Sequence, residues 1–67
     1  MLKVTVNGEM REVSEPASLL DLLQSLELDP RMVVVEHNRA IVRRTQLGET
    51  AVQNGDQVEL VHFVGGG

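Results

Sequence analysis

Leu2, Val4 and Val6 recur at every second position with Lys3, Thr5 and Asn7 between them, the period of a strand that buries one face. The spacing predicts a strand over residues 2–6. Asn7-Gly8 follows, a pair that tolerates positive φ and favours the tight turn of an antiparallel hairpin, so residues 9–14 are expected to return as a second strand. Pro16 then withdraws a backbone donor. Ser18 stands at a helix N-cap position, with Asp21 three residues on in the manner of a capping box. Leu19, Leu22, Leu23 and Leu26 form one stripe of an amphipathic helix over 19–27, which Asp29-Pro30 is expected to stop. Residues 32–37 are rich in β-branched side chains and predict a third strand. Asn38-Arg39-Ala40 reads as a turn before a short return at Ile41-Val42. Residues 43–54 are polar and irregular, with Leu47 and Val52 as plugs into the core. After the turn Asn54-Gly55-Asp56, residues 57–63 carry apolar side chains at both parities, Val58 and Leu60 against Val61 and Phe63. That pattern places the last strand inside the sheet.

The order hairpin, helix, strands predicts an α+β roll, a mixed four- to five-stranded sheet with one main helix across it. Sixty-seven residues leave room for one such domain, expected over 1–64, and its core must be thin, because a chain this short hides only about 60% of its unfolded surface. Six basic residues against ten acidic ones give a net charge of −4, which disfavours nucleic acid and anionic membrane as partners. There is no cysteine, hence no disulfide, thiolate ligand or thiol nucleophile. The longest unbroken apolar run covers 32–35, far short of the roughly 20 residues of a membrane span. Residues 1–6 alternate and do not form a secretory signal, so the expected compartment is the cytoplasm.

Half of the six glycines are Gly65, Gly66 and Gly67. Successive glycines cost backbone entropy when ordered and add no packing, so 65–67 is expected to be a flexible tail. In an arbitrary chain such glycines are a frayed end. Here they follow directly on a predicted core strand, and the body before them has the size and element order of a ubiquitin-like domain. Extended from Val64, the four residues reach about 13 Å, and a thread without Cβ atoms enters channels too narrow for other sequences. The group such a thread would present is the α-carboxylate of Gly67.

Four stretches carry a resemblance over the whole chain: Val6-Asn7-Gly8-Glu9; Leu19-Leu20-Asp21-Leu22-Leu23; Val33-Val34-Val35-Glu36-His37-Asn38 with Ile41-Val42; and Asn54-Gly55-Asp56-Gln57-Val58-Glu59-Leu60-Val61 running to Val64-Gly65-Gly66-Gly67. In their order and spacing the chain resembles the ThiS family of sulfur carriers of thiamine biosynthesis. The resemblance implies a β-grasp fold and a carrier that is not itself an enzyme and binds no cofactor. A ThiF-like, E1-like adenylating enzyme would use MgATP to adenylate the carboxylate of Gly67. Sulfur from a persulfide donor would displace AMP and leave a thiocarboxylate, and a ThiG-like thiazole synthase would take that sulfur for the thiazole ring. Gly65 and Gly66 would enter the partner's active site ahead of Gly67. The chain departs from the family at Arg43, where a proline is usual, and at Leu47, where an aromatic or histidine is frequent. The same fold also serves sulfur carriers for molybdopterin synthesis or tRNA thiolation, ubiquitin-like modifiers, and plain interaction modules.

The remaining candidates are weaker. His37 and His62 lack the neighbours of a zinc site, and no metal site or catalytic constellation is expected. Arg39, Arg43 and Arg44 form the one basic cluster, either a solvated loop or a dock for an acidic partner. Glu9, Glu12 and Glu15 are expected to keep an edge strand soluble. Phe63, the sole aromatic, and Val61 stand beside the tail as a candidate partner interface, with core packing as the alternative for Phe63.

Overall fold

A computed structural model describes residues 1–63; Val64 and the expected tail over 65–67 lie outside the described residues. Strand β1 (Leu2–Val6) and strand β2 (Glu9–Val13) form the predicted hairpin, with Val6 opposite Glu9 and the two-residue loop Asn7-Gly8 at φ 50° and 82°. Helix α1 (Leu19–Ser25) is capped as read, the Asp21 amide donating to Ser18 Oγ at 3.2 Å. A 3-10 turn (Pro30–Met32) leads into β3 (Val33–His37), which pairs with β4 (Ala40–Val42) across Asn38-Arg39. A second 3-10 segment (Arg44–Glu49) precedes β5 (Gln57–His62). The sheet order is β2-β1-β5-β3-β4, with β1 and β5 parallel and the other pairs antiparallel.

One face of this sheet makes the core. Val4, Val6, Val33, Val35, Val58 and Leu60 face Leu19, Leu22 and Leu23 of the helix, and all nine are buried. Leu47 and Val52 complete the layer as the predicted plugs. Leu47 is placed by the 3-10 segment, within a stretch expected to be irregular. The amide of Gln46 donates to the Arg43 carbonyl at 2.8 Å, Thr50 Oγ1 donates to the Gln46 carbonyl at 2.8 Å, and the Leu19 amide donates to the Thr50 carbonyl at 2.9 Å. A single buried side chain in six residues leaves no periodic pattern to read.

β5 is central, as expected, but only one of its faces is covered. The single helix shields the Val58 and Leu60 side, while Val61 and Phe63 stay 55% and 44% exposed. β2 lies at an edge with Glu9 and Glu12 exposed, which keeps its unpaired backbone in solvent.

The helix ends earlier than its leucine stripe indicates. Glu27 adopts φ 59°, its amide donates to the Gln24 carbonyl at 3.0 Å, and the Leu28 amide donates to the Leu23 carbonyl at 2.9 Å. This pair of bonds is the left-handed helix stop normally built on glycine. It folds Leu26 and Leu28 back against the core, so apolar burial holds a glutamate in a conformation that disfavours a Cβ. Asp29-Pro30 caps the following 3-10 turn instead. Arg39, at φ 73° in the β3–β4 turn, bears the same constraint.

A left-handed backbone costs a non-glycine residue about 1–2 kcal/mol, whereas glycine loses about 0.5–1 kcal/mol more chain entropy than alanine on folding. Glu27→Gly and Arg39→Gly are therefore each expected to raise the unfolding free energy by up to about 1 kcal/mol in urea titrations. A fall at both positions would contradict this backbone.

Candidate functional site

The two ends of β5 are built differently. At its start, Asp56 is buried beside His37. An ionised carboxylate only accepts, so His37 Nε2 donates to Asp56 Oδ2 at 2.7 Å. Asn38 Nδ2 donates to Oδ1 at 3.2 Å and the Gln53 amide donates to Oδ2 at 2.9 Å. Burial pushes the Asp56 carboxyl up, but the bonds from His37, Gln53 and Asn38 outweigh it and hold the carboxyl below its ordinary value. His37 is thus committed to joining the β3–β4 turn to β5. His62 is exposed at the far end of the strand. Among the described residues no group of three or more histidine, aspartate and glutamate side chains is placed to hold a metal.

At the other end the strand leaves the sheet through Phe63, whose amide donates to the Met32 carbonyl at 2.9 Å. Cross-strand register decides what surrounds that exit. Val34 pairs with Val61, and Glu36 lies between Glu59 and Ile41. Since Val33, Val35, Val58 and Leu60 point into the core, the alternating positions put Val34, Val61 and Ile41 on the uncovered face. Phe63 lines a shallow cleft of about 300 Å³ with Val34, Ile41 and Val42. Val61 and Phe63, the two candidate interface residues, therefore share the open side of the sheet, and Phe63 is not core. Val34 and Ile41 were not singled out in the sequence. A run of three valines at 33–35 hides which face each takes, and only the register with β5 settles it.

The basic cluster divides. Arg43 and Arg44 border the cleft and are joined there by Arg31, whereas Arg39 sits in the β3–β4 turn at the opposite end of those strands. Arg31 grips Asp29, Nη2 to Oδ2 at 2.9 Å and Nε to Oδ1 at 3.2 Å. This fork holds the Asp29 carboxyl below its usual value and raises the guanidinium. Among the described residues Arg43 and Arg44 make no ion pair. No helix among the described residues is long and apolar enough to cross a membrane.

Residues 4–67 match the ThiS family model. The chain belongs to the ThiS family. It is 35% identical over 63 residues to the sulfur carrier protein ThiS of Bacillus subtilis, covering 92% of this chain and 96% of that protein. It is 41% identical over 66 residues to a thiazole synthase of Magnetococcus marinus, covering 98% of this chain but 20% of that protein. The chain thus spans about a fifth of that longer relative. The crystal structure of the thiamine biosynthesis protein ThiS from Geobacter metallireducens superposes with a TM-score of 0.84 at 35% identity, covering 98% of this chain and 100% of that one. The expected β-grasp roll of four to five strands with one main helix is thus borne out, with five strands here and close superposition on this family member.

The polar cluster at the start of β5 yields a pH prediction. The Asp56 pKa is lower in the fold than its unfolded value near about 3.9. Its contribution is therefore complete above that value and is lost as pH falls through the lower, folded one. Asp56→Asn is expected to cost about 1–3 kcal/mol at neutral pH and to flatten the acid limb of the stability profile. Thermal melts of both proteins from neutral pH down to about pH 2 should converge; curves that stay parallel would remove Asp56 from that role.

Proposed function

We propose that this ThiS-family chain is a sulfur carrier for thiazole formation in thiamine biosynthesis, with the carboxylate of Gly67 as the group that takes the sulfur. The observation that carries the proposal is the family match, which runs through the closing glycines to residue 67, on a body whose central strand ends at His62, a few residues before them in sequence. A ThiS protein is a small sulfur carrier and not a catalyst, so activation falls to a partner.

A carboxylate resists substitution because oxide would have to leave; joined to AMP it has a good leaving group. In the proposed cycle a ThiF-like adenylating enzyme uses MgATP. An oxygen of the Gly67 carboxylate bonds to the α-phosphorus and pyrophosphate leaves. The outer sulfur of a persulfide donor then bonds to the acyl carbon and AMP leaves. Cleavage of the resulting S–S bond by a thiol leaves Gly67 as a thiocarboxylate. A ThiG-like thiazole synthase is the proposed recipient. The relatives that bear the name thiazole synthase support it, since each contains a region 41% identical to this chain. Gly65 and Gly66 are assigned to the narrow approach to the partner's active site, where a Cβ would obstruct passage.

Intact-mass spectrometry tests this reading. Incubated with the adenylating enzyme, MgATP and a persulfide donor, protein ending at Gly67 should show an AMP adduct and then the gain of sulfur for oxygen. A variant lacking Gly66 and Gly67 should show neither. Unmodified wild-type protein beside an enzyme that activates its own carrier would overturn the proposal, as would equal modification of the truncated variant.

A further inference from the structure

We propose that Asn7-Gly8 is a site of spontaneous covalent modification, closing to a succinimide and opening to isoaspartate, and that the fold shields the second Asn-Gly step, Asn54-Gly55, from the same reaction.

The reaction needs water alone. The Gly8 nitrogen gives up its proton and bonds to Cγ of Asn7; the Cγ–Nδ2 bond breaks, and ammonia leaves with that proton. Water then opens the ring. Cleavage between the ring nitrogen and Cγ gives aspartate, whereas cleavage between that nitrogen and the main-chain carbonyl carbon gives isoaspartate, whose backbone runs through the former side chain. A glycine has to follow the asparagine, because a Cβ there crowds the attacking nitrogen. Asn7 and Asn54 meet this condition, while Asn38 precedes Arg39.

The two steps are alike in access and in activation. Asn7, Gly8, Asn54 and Gly55 are all exposed, and a Cβ added at either glycine would touch nothing, so water reaches both. Each side-chain carbonyl is polarised by a backbone donor, Asn7 Oδ1 by the Leu60 amide at 2.7 Å and Asn54 Oδ1 by the Lys3 amide at 2.8 Å. These donors also stabilise the oxyanion that forms as the nitrogen adds.

The nitrogens differ. The Gly55 amide donates to the Lys3 carbonyl at 2.7 Å, and the Asp56 amide closes the same turn on the Gln53 carbonyl at 3.1 Å. Swinging the Gly55 nitrogen onto Cγ breaks the bond to Lys3. The Gly8 amide, by contrast, makes no hydrogen bond among the described residues. Asn7 and Gly8, at φ 50° and 82°, form a type I′ turn, in which both central residues have positive φ. Type II′ differs from it by rotation of the central peptide and closes the same two-residue hairpin. The Gly8 nitrogen can therefore turn toward Cγ while Val6 and Glu9 stay opposite each other. The consequence falls on β5: aspartate still offers the Leu60 amide an acceptor, but isoaspartate adds a methylene to the loop and carries the acceptor away from it.

Peptide mapping of the full chain, aged in warm, mildly alkaline buffer, tests this. Trypsin cuts after Lys3 and Arg11 put Asn7 in one peptide, and the cut after Arg44 puts Asn54 in another. Mass spectrometry with electron-transfer fragmentation reads the exchange of NH2 for OH and separates isoaspartate from aspartate. In the folded chain Asn7 should convert at least about fivefold faster than Asn54, the factor to which one backbone hydrogen bond corresponds, with isoaspartate the main product. In concentrated urea, where both turns are lost, the two should convert at the same rate. Equal rates in the folded chain, a faster Asn54, or an intact Asn7 after the urea sample has fully converted would overturn the proposal. The isoaspartate form, isolated by anion exchange, should unfold at a lower urea concentration than Asn7→Asp, and equal midpoints would overturn the assigned link to β5.

Discussion

Strand β5 pairs with β3 over five residues but with β1 over only two, and asparagine side chains extend the pairing. The parallel register between β1 and β5 covers only Thr5 with Gln57 and Val6 with Val58. Beyond it, Asn7 Oδ1 accepts from the Leu60 amide at 2.7 Å, Asn54 Oδ1 from the Lys3 amide at 2.8 Å, and Asn38 Oδ1 from the Gln57 amide at 2.9 Å. These are all three asparagines of the chain, and each stands in or beside a tight turn. Asn7 and Asn38 also accept φ near 50°, a conformation asparagine tolerates better than most residues. One residue type thus turns the chain and supplies the acceptor that the turned backbone no longer presents. An amide such as that of Leu60, left without a partner in a buried strand, would cost about 1–3 kcal/mol, a large share of what a core this thin supplies.

Covering one face of the sheet with one short helix has a second consequence. The apolar residues of β5 fall on both faces, and only Val58 and Leu60 find the core. In a larger domain a second layer would bury Val61, Ile41 and Phe63. Here they stay in water beside the exit of the strand, where an apolar surface is useful only in contact with something else.

Much of this was legible before the structure. Period two at 2–6, Asn7-Gly8, the leucine stripe under Ser18 and the plugs Leu47 and Val52 are local signals, and each element formed where the signal lay. What escaped was set by tertiary context. Nothing local announces that Glu27 will go left-handed, since glutamate normally extends a helix; the burial of Leu26 and Leu28 decides it. Arg39, Arg43 and Arg44 look like one cluster along the chain, yet a hairpin turn carries Arg39 to the far end and brings Arg31 in. The faces of Val34 and Ile41 follow from pairing partners remote in sequence, which no single-strand pattern encodes. The family was legible in the order and spacing of four short stretches, and the family match over residues 4–67 bears that resemblance out.

The distribution of polar anchors along β5 bears on how such a body can serve as a carrier. At its start the strand is fixed by Asn38, by Asp56 with three donors, and by the backbone bonds of Thr5 and Asn7 to the Asp56 and Val58 carbonyls at 3.0 Å. At its end the backbone bond from Phe63 to Met32 and the pairing of His62 with Val33 hold the chain. A partner that covers the exit therefore displaces no buried hydrogen-bond network and desolvates no paired carboxylate except the exposed Asp29–Arg31 pair, which contributes little to stability. Contact at this end would therefore spend almost no free energy on rearranging the described body.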